Sequence, residues 1–195
     1  MPPCAWPASA SSRRMSRRAE VPPRPGRVLI SADELQSRVT ALGETLARDY
    51  EKLNPIVVGV LQGAFLFMAD LVRAVPIDLT TDFIGLSSYG AGTTSSGVVR
   101  LTSDLSLPID GRDVLVVEDI VDTGHTLEYL KRSLEARRPR SLKVCVLLDK
   151  IERREVDVDL DYIGFTIPNV YVVGYGFDHD GLYRNLRHVA VLEMA

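Results

Sequence analysis

From Ser31 onward the apolar positions Leu35, Val39, Leu42 and Leu46 recur every three or four residues, the period of a helix that buries one face. Ser31 followed by Glu34 is a capping box, which sets where that helix starts. After Pro55 the pattern changes. Ile56-Val57-Val58-Gly59-Val60-Leu61 is wholly apolar, as a strand covered on both faces is. Gln62-Gly63 interrupts it, and Ala64 to Val75 reads as a second helix. Ile77 to Ser88 is β-rich, Tyr89 to Gly97 is a Gly/Ser/Thr loop, and Val98 to Leu101 is a short strand. Val114 to Val117 is another buried strand, followed at once by Glu118-Asp119 and a glycine-containing turn. Leu127 to Arg137 is helical and Leu142 to Leu148 is a strand. Short strands follow near Tyr162, over Tyr171 to Val173 and over Val189 to Leu192. Strand, helix, strand, helix, strand predicts an α/β fold: a mostly parallel, twisted sheet with helices on both faces.

Composition narrows the function classes. A chain of 195 residues, 46% apolar and 25% charged, has the make-up of one ordinary globular core. No apolar run reaches the roughly 18 residues of a membrane span, so no membrane partner is expected. The two cysteines, Cys4 and Cys145, can form neither a disulfide framework nor a structural zinc site. Cys145 reads as a small apolar strand residue, and a reducing, cytoplasmic compartment is expected.

Charge is unevenly spread. Residues 1 to 27 carry six arginines and the single acid Glu20, which leaves 17 basic and 25 acidic residues elsewhere, a net of −8. An acidic body argues against a nucleic-acid surface. Six of the eleven prolines lie in residues 1 to 26, among serines and paired arginines. That segment is expected to be a disordered, dispensable tail, with residues 27 to 195 as a single domain. A targeting peptide, or a translation start at Met15, are the other readings of the tail.

The chemistry concentrates after the Val114 strand. In an open parallel sheet, ligands bind beyond the carboxyl ends of the strands. There the chain reads Glu118-Asp119-Ile120-Val121-Asp122-Thr123-Gly124-His125-Thr126 and then enters a helix. Backbone N–H groups from Asp122 to Thr126 would converge on an anion at the helix N-terminus. Gly124 lets the backbone approach, and Thr123 and Thr126 add hydroxyl donors. Acids beside a phosphate cradle suit sugar hydroxyls or a magnesium ion.

This segment resembles the signature of the type I phosphoribosyltransferases, which bind 5-phosphoribosyl-1-diphosphate (PRPP). From about Val28 to Glu193 the chain is similar to bacterial hypoxanthine-guanine phosphoribosyltransferases. Val60 to Phe65, Leu86 to Gly90, Asp149-Lys150 and Tyr162 to Asp180 fall in that family's order. The resemblance implies a small hood built from the chain ends, magnesium dependence, a homodimer or homotetramer, and transfer of ribosyl 5-phosphate to hypoxanthine or guanine. It implies that Glu118 and Asp119 hold the ribose hydroxyls and a metal, with Asp178 as a second metal-linked acid. Asp122 matches the general base near purine N7, and Thr123, Gly124, His125 and Thr126 match the 5'-phosphate loop. Lys150, Tyr171, Val172 and Asp178 match the purine site: the lysine reaches O6, the tyrosine stacks, and the Val172 backbone reads the base edge. Gln62, Gly63 and Arg184 match the pyrophosphate site, whose loop is associated with a non-proline cis peptide. Ser88 and Tyr89 match the tip of a covering loop. Gln62 departs from the pattern, which often has lysine there, so one positive charge is missing from an anionic site.

Bland readings compete at several positions. Lys150 alone is a surface lysine, Tyr171 alone is a core tyrosine, and Arg184 with Arg187 and His188 is a solvated basic patch. Three histidines, His125, His179 and His188, are too few and too scattered for zinc, and hard oxygen ligands suit magnesium better. Two other functions remain open: a xanthine-preferring transferase, and a regulator that keeps the PRPP fold but reads RNA. Asp122 with Lys150 favours a 6-oxopurine, and the acidic body disfavours RNA.

Overall fold

The computed structural model describes residues 23–88 and 99–193. The major sheet holds β2 (Ile56–Leu61), β3 (Thr80–Ser88), β4 (Val99–Ser103), β5 (Asp113–Val121), β6 (Ser141–Asp149) and β7 (Tyr162–Thr166). Their order is β4-β3-β2-β5-β6-β7. All neighbours are parallel except β3 and β4, which form an antiparallel pair at one edge. This is the α/β architecture that the alternation of patterns predicts.

The wholly apolar strands have a simple reason. Side chains alternate across a sheet, and both faces here are covered. Val57, Leu115, Val117, Cys145 and Leu147 face one core with α1 (Ala32–Asp49) and α2 (Phe65–Ala74). Ile56, Val58, Val114, Val116, Val144 and Val146 face another with α3 (His125–Glu135). Burying each large apolar side chain contributes about 1.5–3 kcal/mol. Cys145 is part of the first core, and burial pushes its thiol up to about 12, so it behaves as an inert apolar residue.

Each helix starts or seats for a local reason. Ser31 Oγ accepts the Glu34 N–H at 3.3 Å, and Glu34 Oε2 accepts the Ser31 N–H at 2.8 Å. The capping box is therefore complete, and Leu35, Val39, Leu42 and Leu46 are all buried. Gly43 brings α1 against α2, since a Cβ there would sit 2.4 Å from the Ala74 carbonyl oxygen. Arg38 ties α1 to β7 by donating to the Ile163 and Gly164 carbonyls. Among the described residues no helix is long and apolar enough to cross a membrane.

A second, antiparallel sheet of three strands has the order β1-β9-β8, from β1 (Arg24–Ile30), β8 (Val172–Val173) and β9 (Val189–Glu193). It is the hood built from the chain ends. The expected boundary of the tail needs correction here. Arg24, Pro25 and Gly26 belong to β1, where Arg24 pairs with Glu193 and Pro25 with Leu192. Tyr183 Oη also donates to the Pro23 carbonyl at 2.8 Å. Local composition misses this strand because its partner lies at the other end of the chain. Residues 1–22 lie outside the described residues.

Candidate active site

β5 runs on to Val121, so Glu118 and Asp119 sit on the strand itself and not in the turn that their polarity suggests. Parallel pairing on β6 matches Val121 to Asp149, which ends the two strands level and brings the next residues, Asp122 and Lys150, side by side. The Lys150 N–H donates to the Val121 carbonyl at 3.0 Å. Lys150 is 7% exposed, not a surface lysine. Its Nζ lies 3.5 Å from Asp122 Oδ2, while Arg153 Nε donates to Asp122 Oδ1 at 2.9 Å.

The turn after β5 is locked from outside. Gly124 has φ 95°, and a Cβ on it would meet the Val156 carbonyl oxygen at 2.7 Å. Thr123 O accepts the N–H groups of Glu155 and Val156 at 2.9 and 3.1 Å, and His125 Nε2 is 3.0 Å from Glu155 Oε2. With Gly124 as N-cap, α3 begins at His125, two residues earlier than its apolar pattern suggests. The first-turn N–H groups have no acceptor within the helix, so the Thr123–Thr126 turn has the make-up of an anion cradle.

The acid pair is electrostatically tense. Burial holds the Glu118 carboxyl well above the ordinary carboxylate range, and the Asp119 charge adds to it. Asp119 is pushed up to about 6, chiefly by burial, against the pull of the Ile120 N–H and the Arg184 guanidinium. Asp119 also touches the loop after β2: a Cβ on Gly63 would fall 1.7 Å from Asp119 Oδ2. The Leu61–Gln62 peptide in that loop is cis, as the resemblance implied. Arg184 is not a solvated basic residue. Its guanidinium donates to Asp178 Oδ1 at 2.7 Å and to the Gly176 carbonyl.

A magnesium ion is chemically compatible with this end of the sheet. Glu118 Oε2 is buried without a hydrogen-bond partner, and Asp119 and Asp178 offer hard oxygens on one cleft. Among the described residues no three His, Cys, Asp or Glu side chains converge as a ready cage. Glu118, Asp119 and Asp178 therefore do not form a three-carboxylate site by themselves. Magnesium characteristically takes one or two carboxylates and fills its shell with water and substrate phosphate oxygens.

The cleft has a volume of about 220 Å³ and is lined by Asp119, Ile120, Asp122, Lys150, Tyr171, Val172, Phe177 and Asp178. Six of these are candidates named from the sequence. Tyr171 is 54% exposed, so it is no core tyrosine. It stands at 87° to the His179 ring, and its hydroxyl donates to the Asp178 carbonyl at 3.2 Å. Gly63 joins the site through Asp119 and Arg184 through Asp178, while Gln62 is not among the residues that line the cleft. Ser88 ends β3, where it pairs with Val99, and Tyr89 lies outside the described residues. Sequence reasoning missed Ile120, Phe177 and Arg153. The charged run Glu152-Arg153-Arg154, which begins three residues past the end of β6, was the available signal for Arg153.

A strand carrying two adjacent acids near its end, a glycine turn into a helix, and a hood over the cleft form a recognisable set. Residues 31–180 match the family model described as the phosphoribosyl transferase domain. The chain belongs to this family. A phosphoribosyl transferase relative in Lactococcus lactis, a hypoxanthine-guanine phosphoribosyltransferase, is 48% identical over 167 residues, covering 86% of this chain and 91% of that protein. A bifunctional TilS/HprT protein of Listeria monocytogenes is 50% identical over 167 residues, but the chain spans only 26% of that protein's length. The crystal structure of a hypoxanthine-guanine phosphoribosyltransferase from Bacillus anthracis superposes with a TM-score of 0.83 at 45% identity, covering 87% of this chain and 100% of that one. Phosphoribosyl transferase membership thus rests on fold, motif and overall sequence together.

Proposed function

We propose that the chain transfers ribosyl 5-phosphate from PRPP to N9 of hypoxanthine or guanine, giving IMP or GMP and pyrophosphate. The observation that carries this reading is the placement of Asp122, Lys150 and Tyr171 on one cleft with Asp119. An ammonium can donate to O6 of a 6-oxopurine, whereas the amino group of adenine offers it no acceptor. The open Tyr171 ring can stack on the base, with the Val172 backbone at its edge.

Chemistry would proceed by loss of pyrophosphate from C1', which takes the bonding electron pair and leaves positive charge on the ribose. Carboxylates at Glu118 and Asp119 favour that charge and bind the ribose hydroxyls. The N9 lone pair forms the new bond to C1', and Asp122 accepts the proton from N7. Thr123, Gly124, His125 and Thr126 hold the 5'-phosphate, while Gln62, Gly63 and Arg184 receive pyrophosphate. Asp119 and Asp178 would hold magnesium, which when bound neutralises diphosphate charge. Ser88 and Tyr89 are proposed as the tip of the loop that excludes water. A cytoplasmic location is part of this proposal, as is a homodimer or homotetramer, for which the exposed Phe65 and Phe83 offer apolar surface.

The test is a panel of hypoxanthine, guanine, xanthine, adenine and uracil with PRPP and magnesium. Turnover of hypoxanthine and guanine is expected. Preference for xanthine overturns the choice of base, and activity confined to adenine or uracil overturns the role of Lys150 as well.

A further inference from the structure

We propose that Arg153 is a positioning residue that fixes the Asp122 carboxylate for proton transfer; this rests on the reading of Asp122 as the proton acceptor. Each carboxylate oxygen has one cationic neighbour. Oδ1 receives Arg153 Nε at 2.9 Å, and Oδ2 lies 3.5 Å from Lys150 Nζ. Of these cations only Lys150 lines the cleft. When a purine O6 engages Lys150, Arg153 becomes the fixed partner of Asp122. It holds Oδ1 while Oδ2 turns to the base.

Arg153 is itself well placed for this. It closes the short 3-10 turn Ile151–Arg153, and its N–H donates to the Lys150 carbonyl at 3.0 Å. The next residue, Arg154, pairs with the buried Asp149. Glu155 and Val156 then hydrogen-bond to Thr123, the residue after Asp122. The segment bearing Lys150 and Arg153 and the turn bearing Asp122 are thus stapled at both ends. The side chains of Arg153 and Asp122 are 44% and 38% exposed, and an ion pair so exposed adds little to folding. Orientation is what it can supply. A carboxylate freed to other rotamers loses reach to the purine, and small misplacements at a reacting group are costly in rate.

The test uses the full chain with Arg153→Ala, Arg153→Lys, Asp122→Asn and the Asp122→Asn/Arg153→Ala double variant, assayed with hypoxanthine, PRPP and magnesium. Arg153→Ala should lower kcat about tenfold, with the KM for PRPP within about twofold and the Tm within about 2 °C. Arg153→Lys should recover most of the rate, because the contact is a single donor to a single oxygen. In the Asp122→Asn background, Arg153→Ala should have no further effect. Full kcat in Arg153→Ala, or an undiminished loss in the double variant, overturns the role of Arg153 while leaving Asp122 in place. Full activity in Asp122→Asn overturns the proton-acceptor reading, and the inference with it.

Discussion

Gly63 and Asp119 meet so closely that no side chain fits between them: a Cβ on Gly63 would lie 1.7 Å from Asp119 Oδ2. On the other side, a Cβ on Gly176 would lie 2.2 Å from the Gly63 carbonyl oxygen. Three parts of the chain, the loop after β2, the end of β5 and the hood, are stacked through these contacts. The loop proposed to receive pyrophosphate is thereby set directly against the acid proposed to hold ribose and metal.

Gly63→Ala should therefore disturb ligand binding before it disturbs the core. Overpacking of this kind costs about 1–3 kcal/mol, and relief comes only by moving the Asp119 carboxylate or the loop. Calorimetric titration should show PRPP affinity reduced about tenfold or more, at about 1.4 kcal/mol per tenfold, with the circular dichroism spectrum unchanged. Unaltered PRPP affinity would show that this contact is not part of the site.

Lys150→Met should separate the two substrates. Lys150 is buried on the cleft, and methionine keeps most of its packing while removing the donor. Binding of hypoxanthine or its nucleotide should weaken by about 2 kcal/mol or more, as expected for losing a charge-assisted hydrogen bond. PRPP binding should change little. Equal weakening of both ligands would show that Lys150 acts on the fold and not on the base.

Truncation should show where the tail ends. Deleting residues 1–22 should leave turnover and Tm unchanged. Deleting residues 1–26 removes the Arg24 and Pro25 pairings on β9 and the Pro23 carbonyl that accepts from Tyr183. The loss of these hydrogen bonds should cost about 1 kcal/mol or more, or about 2–4 °C in Tm per kcal/mol. Identical melting of the two truncations would place β1 outside the stable fold.

Acid stability should depend on Asp113. This buried carboxylate accepts from Arg140 Nε at 2.9 Å and from Ser141 Oγ at 2.7 Å. The Arg140 guanidinium, chiefly, holds its carboxyl below the usual range. A carboxyl depressed in the folded state contributes stability above its unfolded value, near pH 3.9, and loses it as pH falls further. Asp113→Asn should thus cost about 1–3 kcal/mol at pH 7, and urea titrations should show the gap from the parent protein narrowing below about pH 4. A gap that stays constant down to pH 3 would remove this pair from the acid response.

The elements that local pattern could determine are those whose physics is local. The capping box at Ser31 and Glu34, the period of Leu35, Val39, Leu42 and Leu46, and the apolar runs at Ile56, Val114 and Val144 each depend on neighbours a few residues away. They suffice for an α/β sheet covered on both faces. The motif from Glu118 to Thr126 is also contiguous, so the acids and the turn were legible together, although α3 starts two residues before its apolar pattern does. What only the tertiary structure decided are the pairings across long separations. β1 needs β9 at the other end of the chain, so the proline-rich stretch before Val28 gave no sign that Arg24 to Gly26 are a strand. The extension of β5 through Glu118 and Asp119 depends on the register with β6, since polar residues enter a strand only when a partner takes up their backbone groups. That register also aligns Asp122 with Lys150 and carries Arg153 to Asp122, contacts that no local spacing specifies because they cross 28 and 31 residues of chain.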